Sequence, residues 1–271
     1  MRNPSRRLLV LHADPVFAER VREAAHPRFK LEWISGWKAL PDAVREAAPS
    51  GLLVVDPYFD RAKHDGPAPN LHALLRNFPS TPVVAAPSDH ADRLRDVGTL
   101  GEWGVSDVID VLEDTVHTMQ VRIEGARGRP LRTLLEREVP ASVPGRGRAI
   151  LDAAVDVVAT GGHARDLARD LHLSPATLLR WCRRSGIPVP RRLLVWMRAL
   201  LAAELLDDPG QTVLGVALAC GYSSDRTLRR ALYSATGFGP TGLRNRGAFK
   251  TVAAAFVAEL KECRRASAQY V

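Results

Sequence analysis

The stretch "VALACGYSSDRTLRRALYSATG", residues 216–237, repeats a pattern met earlier at "LARDLHLSPATLLRWCRRSG", residues 167–186. In each, a short apolar helix gives way to a tight turn, a Ser able to cap, and a longer amphipathic helix. Ala168, His172, Ser174, Leu178 and Cys182 play the parts taken in the second copy by Ala217, Gly221, Ser223 or Ser224, Leu228 and Leu232. A duplicate of this kind is much harder to reach by chance than either copy alone. It predicts an all-α C-terminal domain with two helix-turn-helix motifs, joined by one long helix at "RRLLVWMRALLAAELL", residues 191–206.

At helical spacing, Leu228, Ala231 and Leu232 share one face of the later helix, while Arg226, Arg229, Arg230 and Tyr233 recur on the other. Gly237 can supply the left-handed residue that ends it. Three guanidinium groups with only Asp225 beside them need an anionic partner, and the rest of the chain agrees. Residues 1–126 hold 15 Lys+Arg against 18 Asp+Glu, and residues 127–271 hold 23 against 12. The halves are thus −3 and +11, making the whole chain's +8. The positive charge belongs to the C-terminal half, as expected if that half meets a polyanion.

With 271 residues, 46% of them hydrophobic and 25% charged, the chain is long enough for two globular domains. Cys182, Cys220 and Cys263 are odd in number, far apart and without metal-ligand spacing, so they read as reduced, mostly buried residues of a cytoplasmic protein. The start "MRNPSRRLLVLHADP" has too short an apolar run for a signal peptide, and no stretch is apolar enough to span a membrane.

The front half alternates short apolar runs with helical segments such as "PVFAERVREAA" and "LHALLRNF". The runs are "LLVL" (8–11), "LEWI" (31–34), "GLLVVD" (51–56), "PVVAAP" (82–87) and "VSDVIDV" (105–111). Five β-α repeats predict an α/β domain, a doubly wound five-stranded parallel sheet with functional groups at the carboxyl ends of its strands. The residues there are His12, Ala13, Asp14, Asp56, Pro57, Pro87 and Ser88. Neither G-x-G-x-x-G nor a Gly-Lys-Ser phosphate loop is present. His12, His26, His64, His72 and His90 are scattered like surface residues, with no metal spacing and no catalytic constellation.

Residues 6 to 125 resemble the receiver domain of two-component response regulators, whose fold is flavodoxin-like. The resemblance places Asp56, in "LLVVDPYF", at the phosphoacceptor position. Phosphoryl transfer to it also needs Mg²⁺ held by an acidic pair after the first strand, but His12 and Ala13 stand there, and Asp14 falls one residue late to begin a helix. Pro87 replaces the expected hydroxyl, with Ser88 beside it, and no Lys ends the fifth strand in "VIDVLED". An unshielded carboxylate repels the phosphate oxygens. Asp56 therefore reads as a strand-end carboxylate that caps a loop, and the domain as a pseudo-receiver working by contact.

The C-terminal half, about residues 150–246, resembles the DNA-binding domain of the AraC/XylS family of transcription regulators. "LARDLHLSPATLLR", "MRALLAAELLDDP", "VALACGYSSDRTLRRAL" and the closing Gly237 and Pro240 with Arg244 beyond carry the resemblance. It implies two recognition helices entering successive major grooves on one face of double-stranded DNA, about 34 Å apart. The candidate base and phosphate readers of the second helix are Asp225, Arg226, Thr227, Arg229 and Arg230. In the first, the readers by family position are Ala176, Leu179 and Arg180, two of which cannot donate to a base. Thr177, Arg180, Arg183 and Arg184 can hold phosphates, so positioning is expected from this helix and reading from the other. His172 replaces the turn's usual Gly, which His tolerates better than most residues. Trp181, Trp196 and Met197 read as core.

The expected organisation is a receiver-like domain at 1–125, a linker with a short helix at 126–149, the AraC-type domain at 150–246 and a C-terminal helix at 247–271 that packs on its own domain. The expected function is a cytoplasmic, non-enzymatic regulator of transcription with no cofactor and no metal. Its front domain serves dimerisation, partner docking or sensing of a small-molecule or protein effector. Two rivals stand beside it: a phosphorylated response regulator, and an interaction module that no longer reads DNA.

Overall fold

The computed structural model describes residues 6–47, 51–62, 65–88, 96–159 and 161–268. The chain divides into two compact units, Met1–Arg127 and Gly128–Val271.

In the first unit, strands β1 (Arg6–Leu11), β2 (Phe29–Trp33), β3 (Leu52–Val55), β4 (Val83–Ala85) and β5 (Asp107–Val108) form one parallel sheet in the order β2-β1-β3-β4-β5. This is the flavodoxin-like order of doubly wound sheets. Alternation along the strands builds two cores. Leu8, Val10, Leu52 and Val54 face α1 (Pro15–Ala25) and α5 (Val116–Gly125), while Leu9, Leu11, Leu53 and Val55 face α2 (Leu40–Ala47), α3 (Pro69–Asn77) and α4 (Asp96–Trp103). The expected fifth strand at 105–111 shortens to two paired residues. Asp110 accepts from the amides of Leu112 and Glu113, both at 2.9 Å, and this turns the chain out of the sheet.

The second unit is entirely helical: α6 (Arg129–Glu138), α7 (Gly145–Ala159), α8 (Ala164–Asp170), α9 (Pro175–Arg184), α10 (Pro190–Asp207), α11 (Val213–Ala219), α12 (Asp225–Thr236), α13 (Pro240–Arg244) and α14 (Ala248–Ala268). Its axis is α10, which packs on each of the other helices of the unit. Eleven of its residues are buried, Trp196 and Met197 among them, the pattern of a helix surrounded on all sides. The segment 126–149, whose Gly, Pro and Arg content suggests a linker, contributes to this core. Leu131, Leu134 and Leu135 of α6 and Val143 are buried against α7 and α10. The three leucines share one face at i, i+3 and i+4, which the surrounding Arg-rich composition conceals.

Helix α14 packs along α10 through Val252, Phe256 and Leu260. Asp207, the last residue of α10, accepts from the amides of Ala248 (2.5 Å) and Phe249 (2.9 Å), satisfying the free donors that begin α14. Arg192 grips Glu259 with two nitrogens, at 2.6 and 2.9 Å. Cys182 and Cys220 are buried and Cys263 is half-buried; burial pushes the Cys182 thiol up to about 12, so it is not a ready nucleophile.

Candidate nucleic-acid interface

The two helix-turn-helix copies share a backbone pattern. After α8 the Leu173 amide donates to the Ala168 carbonyl at 2.8 Å, and after α11 the Tyr222 amide donates to Ala217 at 2.9 Å. The residues between turn through the left-handed region, His172 at φ 52° and Gly221 at φ 79°. A non-Gly residue in that region carries strain, so His172 holds a conformation that Gly would take freely.

Each second helix opens on a Ser-x-x-Thr cap. Ser174 Oγ accepts from the Thr177 amide at 3.2 Å and Ser224 Oγ from Thr227 at 3.2 Å, with each pair of hydroxyls 2.9 Å apart. Ser224, not Ser223, is thus the cap, and the second turn is one residue longer than the first. Beyond it the register is fixed by burial: Leu178 and Cys182 in α9, and Leu228 and Leu232 in α12, all sink into the common core. Gly237 ends α12 at φ 75°, its amide donating to Tyr233.

Residues 167–246 match the family model described as a helix-turn-helix domain. They form a helix-turn-helix domain of AraC type. No curated protein and no solved structure matches the chain.

In this AraC-type domain the outward face of α12 presents Arg226, Arg229, Arg230 and Tyr233, all exposed, opposite the buried Leu228 and Leu232. Arg229 Nε reaches Asp225 at 3.3 Å, so one cation of the ridge is part-neutralised within the helix. Arg226 and Arg230 have no ion pair among the described residues. Thr227 is half-buried and engaged in the cap. Helix α9 presents Ala176, Arg180, Arg183 and Arg184 to solvent, with Thr177 half-buried in its own cap.

Leu179 is half-buried and lines a cavity instead of projecting freely. Trp181, expected in the core, is half-buried: it packs on the core with one face and carries the Arg146 guanidinium 4.4 Å from its ring centre. Arg244, part of the sequence signature, is structural. Its guanidinium donates to the carbonyls of Leu206 (3.0 Å) and Gln211, tying α13 to the end of α10. Arg198 likewise donates to the Gly162 carbonyl and lies 3.2 Å from the His163 ring ahead of α8. Distance along the chain hid both ties from the sequence.

The first unit gathers a different set of groups at its strand ends. Asp56 is buried, and its Oδ1 accepts from the Tyr58 amide at 2.9 Å, the loop-capping role that the sequence suggested. His12 is not the surface residue expected but is half-buried, 4.2 Å from the Phe17 ring centre. Its Nδ1 accepts from the Asp14 amide at 3.1 Å, which leaves Nε2 to donate to the Ala86 carbonyl at 3.1 Å. Burial lowers its pKa, while Asp56, the Ala86 carbonyl and Asp14 oppose the shift. Asp14 caps α1 through the Val16 amide at 2.8 Å. His72 stacks on Trp103, and His64 and His90 lie outside the described residues. Among the described residues no three His, Cys, Asp or Glu side chains group to hold a metal, and no helix is long and apolar enough to cross a membrane.

Proposed function

We propose that the chain regulates transcription by binding double-stranded DNA through both helix-turn-helix motifs. Helix α12 reads bases and α9 chiefly holds phosphates. The observation that carries this reading is the ridge of α12. Arg226 and Arg230 stand exposed and, among the described residues, without an ion pair, on the helix that the resemblance to AraC-type domains would place in the major groove. Guanidinium groups there match guanine O6 and N7 or backbone phosphate oxygens. In α9 the positions that match Arg226 and Arg229 hold Ala176 and Leu179, while Arg180, which matches Arg230, is left with Arg183 and Arg184 to grip the backbone.

The front unit, in this reading, is a pseudo-receiver of a cytoplasmic regulator that acts by dimerisation, partner docking or effector binding and not by phosphorylation. A His–carbonyl contact occupies the strand end where Mg²⁺ chemistry would need a carboxylate, which supports it. Selection of bound sequences from a random duplex pool with the full chain tests the proposal. A recurrent motif is expected, and its loss of definition in Arg226→Ala/Arg230→Ala would assign the reading to α12. Recovery of no motif would favour the rival reading, an interaction module that has lost base recognition.

A further inference from the structure

Two arginines at the start of α7, separated by one residue, are used differently. Arg148 serves the fold, donating to the carbonyls of Val139 (3.3 Å) and Pro140 (3.0 Å). Arg146 is exposed, and among the described residues its nitrogens have neither a hydrogen-bond nor an ion-pair partner. Its guanidinium instead lies over the Trp181 indole of α9, 4.4 Å from the ring centre. The two helices approach closely here: a Cβ on Gly147 would come within 2.8 Å of the Ser185 Cβ at the end of α9. Stacking covers one face of the guanidinium and leaves its in-plane N–H groups free to donate.

We propose that Arg146, held by Trp181, contacts a DNA phosphate and so extends the interface beyond the two helix-turn-helix motifs onto the start of α7. This assignment rests on the DNA-binding reading. On α9, Arg180 lies opposite the buried Leu178 and Cys182, Arg184 follows it at i+4, and Trp181 flanks Arg184 at i−3. A helix about 10–12 Å across fills a major groove about 12 Å wide, so the flanks of a recognition helix meet the phosphate walls. Arg146 therefore adds a cation to the edge formed by Arg180 and Arg184, from a helix outside residues 167–246. Trp181 is a positioning residue here. Its ring orders the guanidinium before DNA arrives, so less side-chain freedom is lost on binding. Such an anchor suits α9, whose Ala176 and Leu179 offer no hydrogen bond to a base.

Fluorescence anisotropy of the full chain on a duplex selected from the random pool supplies the test. Arg146 adds about 0.9 to the salt slope produced by the arginines of α9 and α12, so Arg146→Ala should bind about tenfold more weakly at about 50 mM salt and about threefold more weakly at about 200 mM. The motif it selects should be unchanged, because a phosphate contact carries no sequence. Arg146→Lys, which keeps the charge but not the planar stack, should fall between. Trp181→Leu should weaken binding in the parent chain yet leave Arg146→Ala no weaker, while Trp181→Phe keeps most of the affinity. Far-UV circular dichroism confirms that each variant is folded, and the exposed Arg146 substitutions decide the matter even if Trp181→Leu is not. Parent affinity and slope in Arg146→Ala would overturn this contact alone, as would a deficit independent of salt, or losses from Arg146→Ala and folded Trp181→Leu that simply add. A parent chain that binds no duplex would overturn the DNA-binding reading and this contact with it.

Discussion

Replacing Arg230 by Ala separates recognition from stability. The side chain is exposed and has no ion pair among the described residues, so its removal should change unfolding free energy by no more than about 0.5 kcal/mol. If it contacts a base, the same change should weaken binding to the selected site by about 1–3 kcal/mol, or roughly 5- to 150-fold. Salt dependence supplies a second magnitude. Arg180, Arg183, Arg184, Arg226 and Arg230 are exposed and without ion pairs among the described residues. If all five neutralise phosphates, log K falls with log salt at a slope of about −4.5, and if Arg226 and Arg230 read bases instead, at about −2.7. Between about 50 and 200 mM salt these slopes correspond to roughly 500-fold and 40-fold losses. Fluorescence anisotropy with a labelled duplex across that range measures both quantities. A base-reading Arg230 leaves the slope nearly unchanged on mutation, while a phosphate-binding one makes it shallower by about one. Wild-type affinity and slope in both Arg226→Ala and Arg230→Ala would refute the assignment of α12.

Four further outcomes are expected. Leu228→Ala removes a fully buried side chain and should cost about 2–5 kcal/mol of stability, read by urea unfolding of the C-terminal unit. His172→Gly relieves a left-handed residue at φ 52° and should stabilise that unit by roughly 0.5–1 kcal/mol in the same assay. His12, held neutral by burial, should titrate below its ordinary 6.5 when its ring proton is followed by NMR. Since the unfolded chain then binds the proton first, its contribution to stability is present above pH 6.5 and is lost as pH falls through the lowered folded value, and His12→Gln should flatten that loss. Incubation with a small phosphodonor and Mg²⁺ should leave the intact mass unchanged. An adduct absent from Asp56→Asn would reinstate the phosphorylated rival.

The sequence made the parallel sheet and the doubled motif legible because both depend on local periodicity. Apolar runs alternating with amphipathic segments force β-α order, and Leu178, Cys182, Leu228 and Leu232 bury as their spacing requires. The dry and cationic faces of α12 follow from the same arithmetic. Features set by distant contacts were hidden. Choosing Ser224 over Ser223 needs the turn length, which only the packing of Leu228 fixes. Arg244 looks like one more basic residue until the Leu206 and Gln211 carbonyls are brought to it. The burial of α6 depends on a groove formed by α7 and α10, and the half-burial of His12 on Phe17 and the Ala86 carbonyl. Leu179 shows the two levels together: its apolar character is visible in the sequence, but the cavity that it lines is not.

Hydroxyl-radical footprinting of the full chain on a selected duplex tests the central claim most directly. Two AraC-type motifs in one rigid arrangement should protect two stretches on the same face of the DNA, centred about 10 base pairs apart, with the stretch under α12 lost in Arg226→Ala/Arg230→Ala. A duplex uniformly cleaved at saturating protein, or protection that survives removal of both arginines, would contradict it.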